Sequence, residues 1–150
     1  MKQNTFFTDL VNKSLIDEWA KNIDWLLNDD KFNQWQKNEK RKFTKIIKDY
    51  LSKNDIEFKK IRISDFNVIK APEYNYIYIN GNSSDSIDII RHIRNGIAHG
   101  HCRIIKNRNK VLYLMIIDYT SKQDISAKIN IPIALISQIR DFYKKIINFK

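Results

Sequence analysis

Cysteine is nearly missing from this chain. The single Cys102 allows no internal disulfide and no thiol-rich metal site. That usage suits a reducing cytosol, so a cytoplasmic location is expected, and Cys102 itself reads as a small, half-buried filler. Glycine and proline are almost as scarce, at three and two residues, which argues against long disordered linkers. No apolar run approaches the roughly 18 residues that a membrane span needs. The stretch Met1-Lys2-Gln3-Asn4-Thr5-Phe6-Phe7 reaches Asp9 after one short apolar pair, unlike a secretory leader, so no membrane partner is expected. Acidic residues are the minority charge: 17 Asp and Glu against 27 Lys and Arg leave a net charge of +10 and a pI near 9.6. An excess of this size favours polyanion partners, RNA or DNA first. The Lys, Ile and Asn-rich composition offers a second source for it, an AT-rich coding sequence, with no partner implied.

What is present suffices for one domain spanning residues 1–150. With 43% hydrophobic and 29% charged residues the composition is that of a soluble globular protein, large enough to bury a core without staples. Leu10, Val11, Leu15, Trp19, Ile23, Leu26 and Leu27 recur at helical spacing and predict a first helix from about Thr8, capped by Thr5 or Thr8. Asn28-Asp29-Asp30 breaks it. A second helix is expected over Phe32–Leu51, with Trp35, Phe43, Ile46, Ile47, Tyr50 and Leu51 as its stripe and a basic middle from Lys37 to Lys45. Such a charge run is a solvated face or a seat for an RNA backbone.

The segment Asn54–Pro72 partly alternates through Ile56, Phe58, Ile61 and Ile63, suggesting short extended structure. Tyr74, Tyr76 and Tyr78 alternate with Asn75, Ile77 and Ile79 as in a strand, ended by Asn80-Gly81-Asn82. Ser83, Ser84 or Asp85 caps a helix whose Ile87, Ile90, Ile93 and Ile97 form a buried face, and Gly100 stops it. A hairpin is expected next, from Cys102, Ile104 and Ile105 through Lys106-Asn107-Arg108-Asn109-Lys110 to Val111–Ile117. That second run is nearly continuous in apolar residues, as for a strand covered on both faces. Asp118–Lys128 reads as polar and irregular. A last helix follows Pro132, with Leu135, Ile136, Ile139, Phe142, Tyr143, Ile146 and Ile147 inward.

Chemistry concentrates in Arg91-His92-Ile93-Arg94-Asn95-Gly96-Ile97-Ala98-His99-Gly100-His101, which holds all three histidines. On a helix, at about 100° per residue, Asp88, His92, Asn95 and His99 fall on the side away from the isoleucines, flanked by Arg91 and Arg94. A purely solvated face more commonly carries Lys and Glu. A histidine just before a helix-ending glycine often serves only the helix dipole, but here Asn95 and Arg94 stand one turn back. Histidine moves protons near neutral pH, and arginine offers a fixed charge and a donor fork that fits a phosphate. Together they meet the minimum for cutting RNA without a metal: a base for the 2′-OH and a cation for the phosphate.

Arg94-Asn95-Gly96-Ile97-Ala98-His99 resembles the Arg-x4-His motif of the HEPN superfamily (higher eukaryotes and prokaryotes nucleotide-binding). Asn after the Arg and Gly after the His are both common there, and strands added to the helices are similar to a plasmid-associated subgroup. The resemblance implies a mainly α, HEPN-like four-helix bundle, here with an added β-hairpin and short extended segments. It also implies a homodimer through the helix around residues 84–99, joining two motifs in one cleft. Many members are metal-independent endoribonucleases of toxin, abortive-infection or defence systems, so the implied catalytic residues are Arg94, His99 and Asn95, with RNA as partner, an antitoxin protein as a further one, and no cofactor. Arg91, His92, His101 and Arg103 are secondary substrate contacts.

Three other readings stay open. Asp88, His92, His99 and His101 together offer metal ligands, but without the tight spacing of zinc motifs; no metal is expected. A non-catalytic RNA-binding module would use Lys37, Lys40, Arg41, Lys42 and Lys45 with Arg103 and Arg108, and the tyrosine row would stack bases if exposed, though such a row is ordinarily sheet packing. A dimeric regulatory or immunity protein would use the polar stripe only as an interface.

Overall fold

Runs rich in Ile, Val and Tyr favour extended chain, and here they pair edge to edge. The computed structural model describes residues 37–80 and 85–148. In chain order these form α1 (Lys37–Lys53), β1 (Glu57–Lys60), a single 3-10 turn (Ile63–Asp65), β2 (Tyr76–Ile79), α2 (Asp85–Ala98), β3 (Cys102–Lys106), β4 (Leu112–Tyr119), β5 (Ile125–Pro132) and α3 (Ile133–Asn148). The five strands make one sheet in the order β1-β2-β5-β4-β3. The β1–β2 pair is parallel and the other three are antiparallel.

This overturns the expected mainly helical four-helix bundle with an appended hairpin. The described residues build three helices around a five-stranded mixed sheet. The expected β3–β4 hairpin is present, but it is one side of that sheet rather than an addition to a bundle. The stretch expected to be irregular up to Lys128 supplies half of β5, the strand that joins β4 to β2. Its Ser126, Ala127 and Asn130 are buried despite their small or polar side chains, because two neighbouring strands satisfy their backbone groups. The expected first helix (Thr8–Leu27), the break at Asn28–Asp30, Trp35, the Gly81-Asn82 turn and the Ser83 and Ser84 caps lie outside the described residues.

One sheet face carries the main core. Cross-strand partners Ile116, Ile129 and Ile77 lie in one row, with Ile79, Ala127, Ile131 and Leu114 beside them, all buried. The row is covered by Ile89, Ile90, Ile93 and Ile97 of α2, Phe43, Ile47 and Leu51 of α1, and Leu135, Ile136 and Ile139 of α3. Fully burying each such side chain is worth about 1.5–3 kcal/mol, so α2 is fastened chiefly by its isoleucine face. Ile89, absent from the stripe expected for this helix, is among the most deeply buried. Gly96 sits where α2 crosses β4, and a Cβ there would run into the Ile116 side chain.

The described residues cover the opposite face over only part of its width. The chain between β1 and β2 folds over it, packing Ile61 and Phe66 against Tyr76 and Tyr78. All four residues of β2 are therefore buried. Tyr76 and Tyr78 pack against each other at 5.1 Å between ring centroids, and Tyr74 rests on Tyr113 at 4.6 Å. The row is sheet packing, not a base-stacking surface. On the β3–β4 side of the same face, Arg103, Met115, Ile117 and Tyr119 are only half-buried or exposed.

Candidate functional site

The isoleucine spacing of α2 fixes which residues it turns outward. With Ile89, Ile90, Ile93 and Ile97 against the sheet, Arg91, Ala98 and His99 are exposed, and Arg94 and Asn95 are half-buried. The Arg94 guanidinium donates from Nη1 to Asn95 Oδ1 at 3.4 Å, so these two side chains are held together. The Asn95 carbonyl accepts the His99 N–H at 3.0 Å, the last full turn of the helix. Arg94, Asn95 and His99 are thus all at least partly accessible, a ridge running from the last turn of α2 to the residue just past its end.

Gly100 ends the helix in left-handed conformation, at φ +72°, which suits a residue without Cβ. Its N–H bonds the Ile97 carbonyl at 3.1 Å, and the His101 N–H bonds the Gly96 carbonyl at 2.8 Å. This is a Schellman closure, which satisfies carbonyls the helix end would otherwise orphan. The turn leads straight into β3, and the Ile117 N–H of β4 bonds the His101 carbonyl at 3.1 Å. His99 and His101 are left flanking the turn with ring centroids 6.2 Å apart.

The other histidine of the motif stretch behaves differently. His92 lies at the edge of the buried face and turns toward the sheet. Its Nδ1 is 2.8 Å from Asp118 Oδ2, with the side chains only 15% and 4% exposed. A carboxylate can only accept, so Nδ1 carries the hydrogen and Nε2 is the nitrogen left over. Asp118 Oδ1 accepts the Tyr119 N–H at 2.9 Å. The pair pins α2 to β4 and separates His92 from the ridge of Arg94 and His99. Asp118 was not singled out in the sequence; an isolated aspartate closing a long apolar strand was the available signal.

His101 and Arg103 lie past the turn. They line a shallow cavity of about 220 Å3 with Gly100, Cys102, Met115, Ile117 and Tyr119. The rings of His101 and Tyr119 meet edge to face at 4.9 Å and 79°, and Arg103 Nη2 points at Met115 Sδ, 3.7 Å away. Burial pushes the Cys102 thiol above its ordinary range, which keeps it protonated and poorly nucleophilic at neutral pH. Among the described residues no three His, Cys, Asp or Glu side chains are grouped so as to hold a metal ion, and no helix is long and apolar enough to cross a membrane. On α1, Arg41, Lys42, Lys45 and Lys48 are exposed along one outer face.

A family model described as HEPN pEK499 p136 matches residues 3–150 of the chain. Comparison with curated proteins and with solved structures gives no match.

Proposed function

The chain belongs to the HEPN pEK499 p136 family, a plasmid-associated HEPN family, and on that premise we propose that it is a metal-independent endoribonuclease. The family points to nucleotide binding or ribonuclease-like chemistry. The observation that carries the finer reading is the ridge itself: Arg94 bonded to Asn95, both partly accessible, and His99 exposed one turn on, just past the end of a helix anchored by four buried isoleucines.

In this reaction His99 takes the proton of an RNA 2′-OH, and O2′ attacks the adjacent phosphorus. The P–O5′ bond breaks and an acid gives O5′ a proton. The products are a 2′,3′-cyclic phosphate and a 5′-OH. Arg94 neutralises the charge that gathers on the phosphoryl oxygens, and Asn95, whose Oδ1 receives the guanidinium N–H, aims it. The reaction uses a base and an acid, and His99 supplies one of them. A homodimer that apposes two α2 helices supplies the second, with Arg91 along the approach. The biological role that fits is a toxin, abortive-infection or other defence nuclease in the cytoplasm, held in check by an antitoxin protein. A non-catalytic RNA-binding module is the second reading, favoured by the exposed cations of α1.

Cleavage of total and transfer RNA in excess EDTA tests this, with wild type beside His99→Ala and Arg94→Ala. Cleavage by wild type alone is expected. Equal cleavage by all three places the chemistry elsewhere, and a dimer that binds RNA without cutting it favours the second reading.

A further inference from the structure

We propose that the cavity between the end of α2 and the part of the sheet that the β1–β2 connection leaves uncovered is a nucleobase subsite, holding the base of a nucleotide next to the phosphate that Arg94 and His99 engage. This rests on the ribonuclease reading of the ridge. The cavity opens where the motif ends: Gly100 and His101 are part of its wall, and the His101 ring is 6.2 Å from that of His99. Its floor is apolar, from Met115 and Ile117, neighbours on one face of the sheet that the β1–β2 connection leaves uncovered. Its rim is aromatic and cationic. His101 and Tyr119 stand nearly perpendicular, so a flat ring can lie on one face while its edge meets the other. Arg103 is exposed beside them on the edge strand β3, placed for a flanking phosphate or for stacking on the base.

That combination is how proteins hold splayed single-stranded RNA: a base stacked on aromatic or guanidinium planes over an apolar floor, with cations along the backbone. A protein partner of acidic character would use Arg103 but gains nothing from the perpendicular rings. A cavity of about 220 Å3 suits one base rather than a peptide segment. Single-stranded RNA with an unpaired base at the cut is therefore the substrate class, and the base in this cavity biases where the cut falls.

The test is calorimetric titration with the four nucleoside 3′-monophosphates, with ribose 5-phosphate as the base-free control. At least one nucleotide is expected to bind while ribose 5-phosphate does not. Tyr119→Ala should weaken binding roughly five- to a hundredfold, the range seen on removing one base–aromatic stack, whereas Tyr119→Phe retains it. Should Tyr119→Ala unfold, Arg103→Ala on the exposed edge carries the same comparison. Absence of nucleotide binding, equal binding of ribose 5-phosphate, or affinity unchanged in both Ala variants overturns the proposal. So does a Tyr119→Ala protein that turns from dimer to monomer, since the face then belongs to a second copy. The two readings fail separately. RNA cut by wild type with nucleotide binding unchanged in both Ala variants removes the subsite and keeps the nuclease. Tyr119-dependent nucleotide binding with RNA left uncut keeps the subsite and removes the nuclease.

Discussion

Removing His92 tests how the helix that carries the motif is held. Asp118 is 4% exposed and its Oδ2 has the imidazole Nδ1 as partner at 2.8 Å, while Oδ1 is occupied by the Tyr119 N–H. His92→Ala leaves Oδ2 buried without its donor. Breaking a buried charged pair from one side costs about 3–5 kcal/mol when both groups are sealed from water; with His92 at 15% exposure some water returns, and about 2–3 kcal/mol is expected, the range of a hydrogen bond to a charged group. Asp118→Ala should cost less, about 1–2 kcal/mol, because the two donors it abandons, the imidazole and the Tyr119 N–H, belong to residues that are not fully enclosed. The double variant should cost less than the sum of the singles by about 1–3 kcal/mol, the coupling of residues in direct contact. Urea denaturation of all four proteins at one pH measures this, provided the slopes agree. Strictly additive losses, or a His92→Ala loss below about 0.5 kcal/mol, would refute the claim that this pair fastens α2 to β4.

Gly96→Ala gains about 1 kcal/mol of helix propensity but drives a methyl into Ile116, which is fully buried; overpacking of about 1–3 kcal/mol should leave the variant less stable in the same assay. A stabilised Gly96→Ala protein would mean that α2 does not sit so close to β4. Tyr78 is pushed up to about 12, first by burial and then by the bond its O–H donates to Glu57 Oε2 at 2.9 Å. Because its folded value lies above the ordinary phenol value of about 10, its contribution to stability is complete below that pH and is lost as pH rises toward about 12. A near-ultraviolet titration should show a late-ionising tyrosine that Tyr78→Phe removes. Iodoacetamide should modify Cys102 slowly in the folded protein at neutral pH and faster on unfolding, since burial raises the thiol; prompt reaction of the folded protein would contradict that burial.

Where Arg94, Asn95 and His99 lie was legible because the three are local. They fall within six residues at the end of α2 and just past it, and the isoleucine period leaves them accessible. Gly100 was legible as a stop for the same reason. His92 with Asp118 was not, since 26 residues separate them and only the seating of α2 on β4 brings them together. The helical spacing sets His92 beside Asn95 and His99, yet a short rotation at the edge of the buried face turns it to the sheet. β5 was hidden by its own composition: Ser126, Lys128 and Asn130 mask the alternation that Ala127, Ile129 and Ile131 supply on the core face. The parallel pairing of β1 with β2 left no local mark, because it depends on the intervening chain folding back over Tyr76 and Tyr78. The bundle expectation failed on β5, β2 and β1, which extend the β3–β4 hairpin into a five-stranded sheet.

The central claim is that His99 drives attack by the RNA 2′-OH. The most direct measurement is the chemistry of the cut ends made in excess EDTA, by wild type and His99→Ala, on an oligonucleotide carrying either ribose or 2′-deoxyribose at the mapped site. A 2′,3′-cyclic phosphate and a 5′-OH from wild type are expected, with cleavage lost both in His99→Ala and on the deoxy substrate. Ends bearing a 5′-phosphate, or cleavage that survives either change, would contradict it.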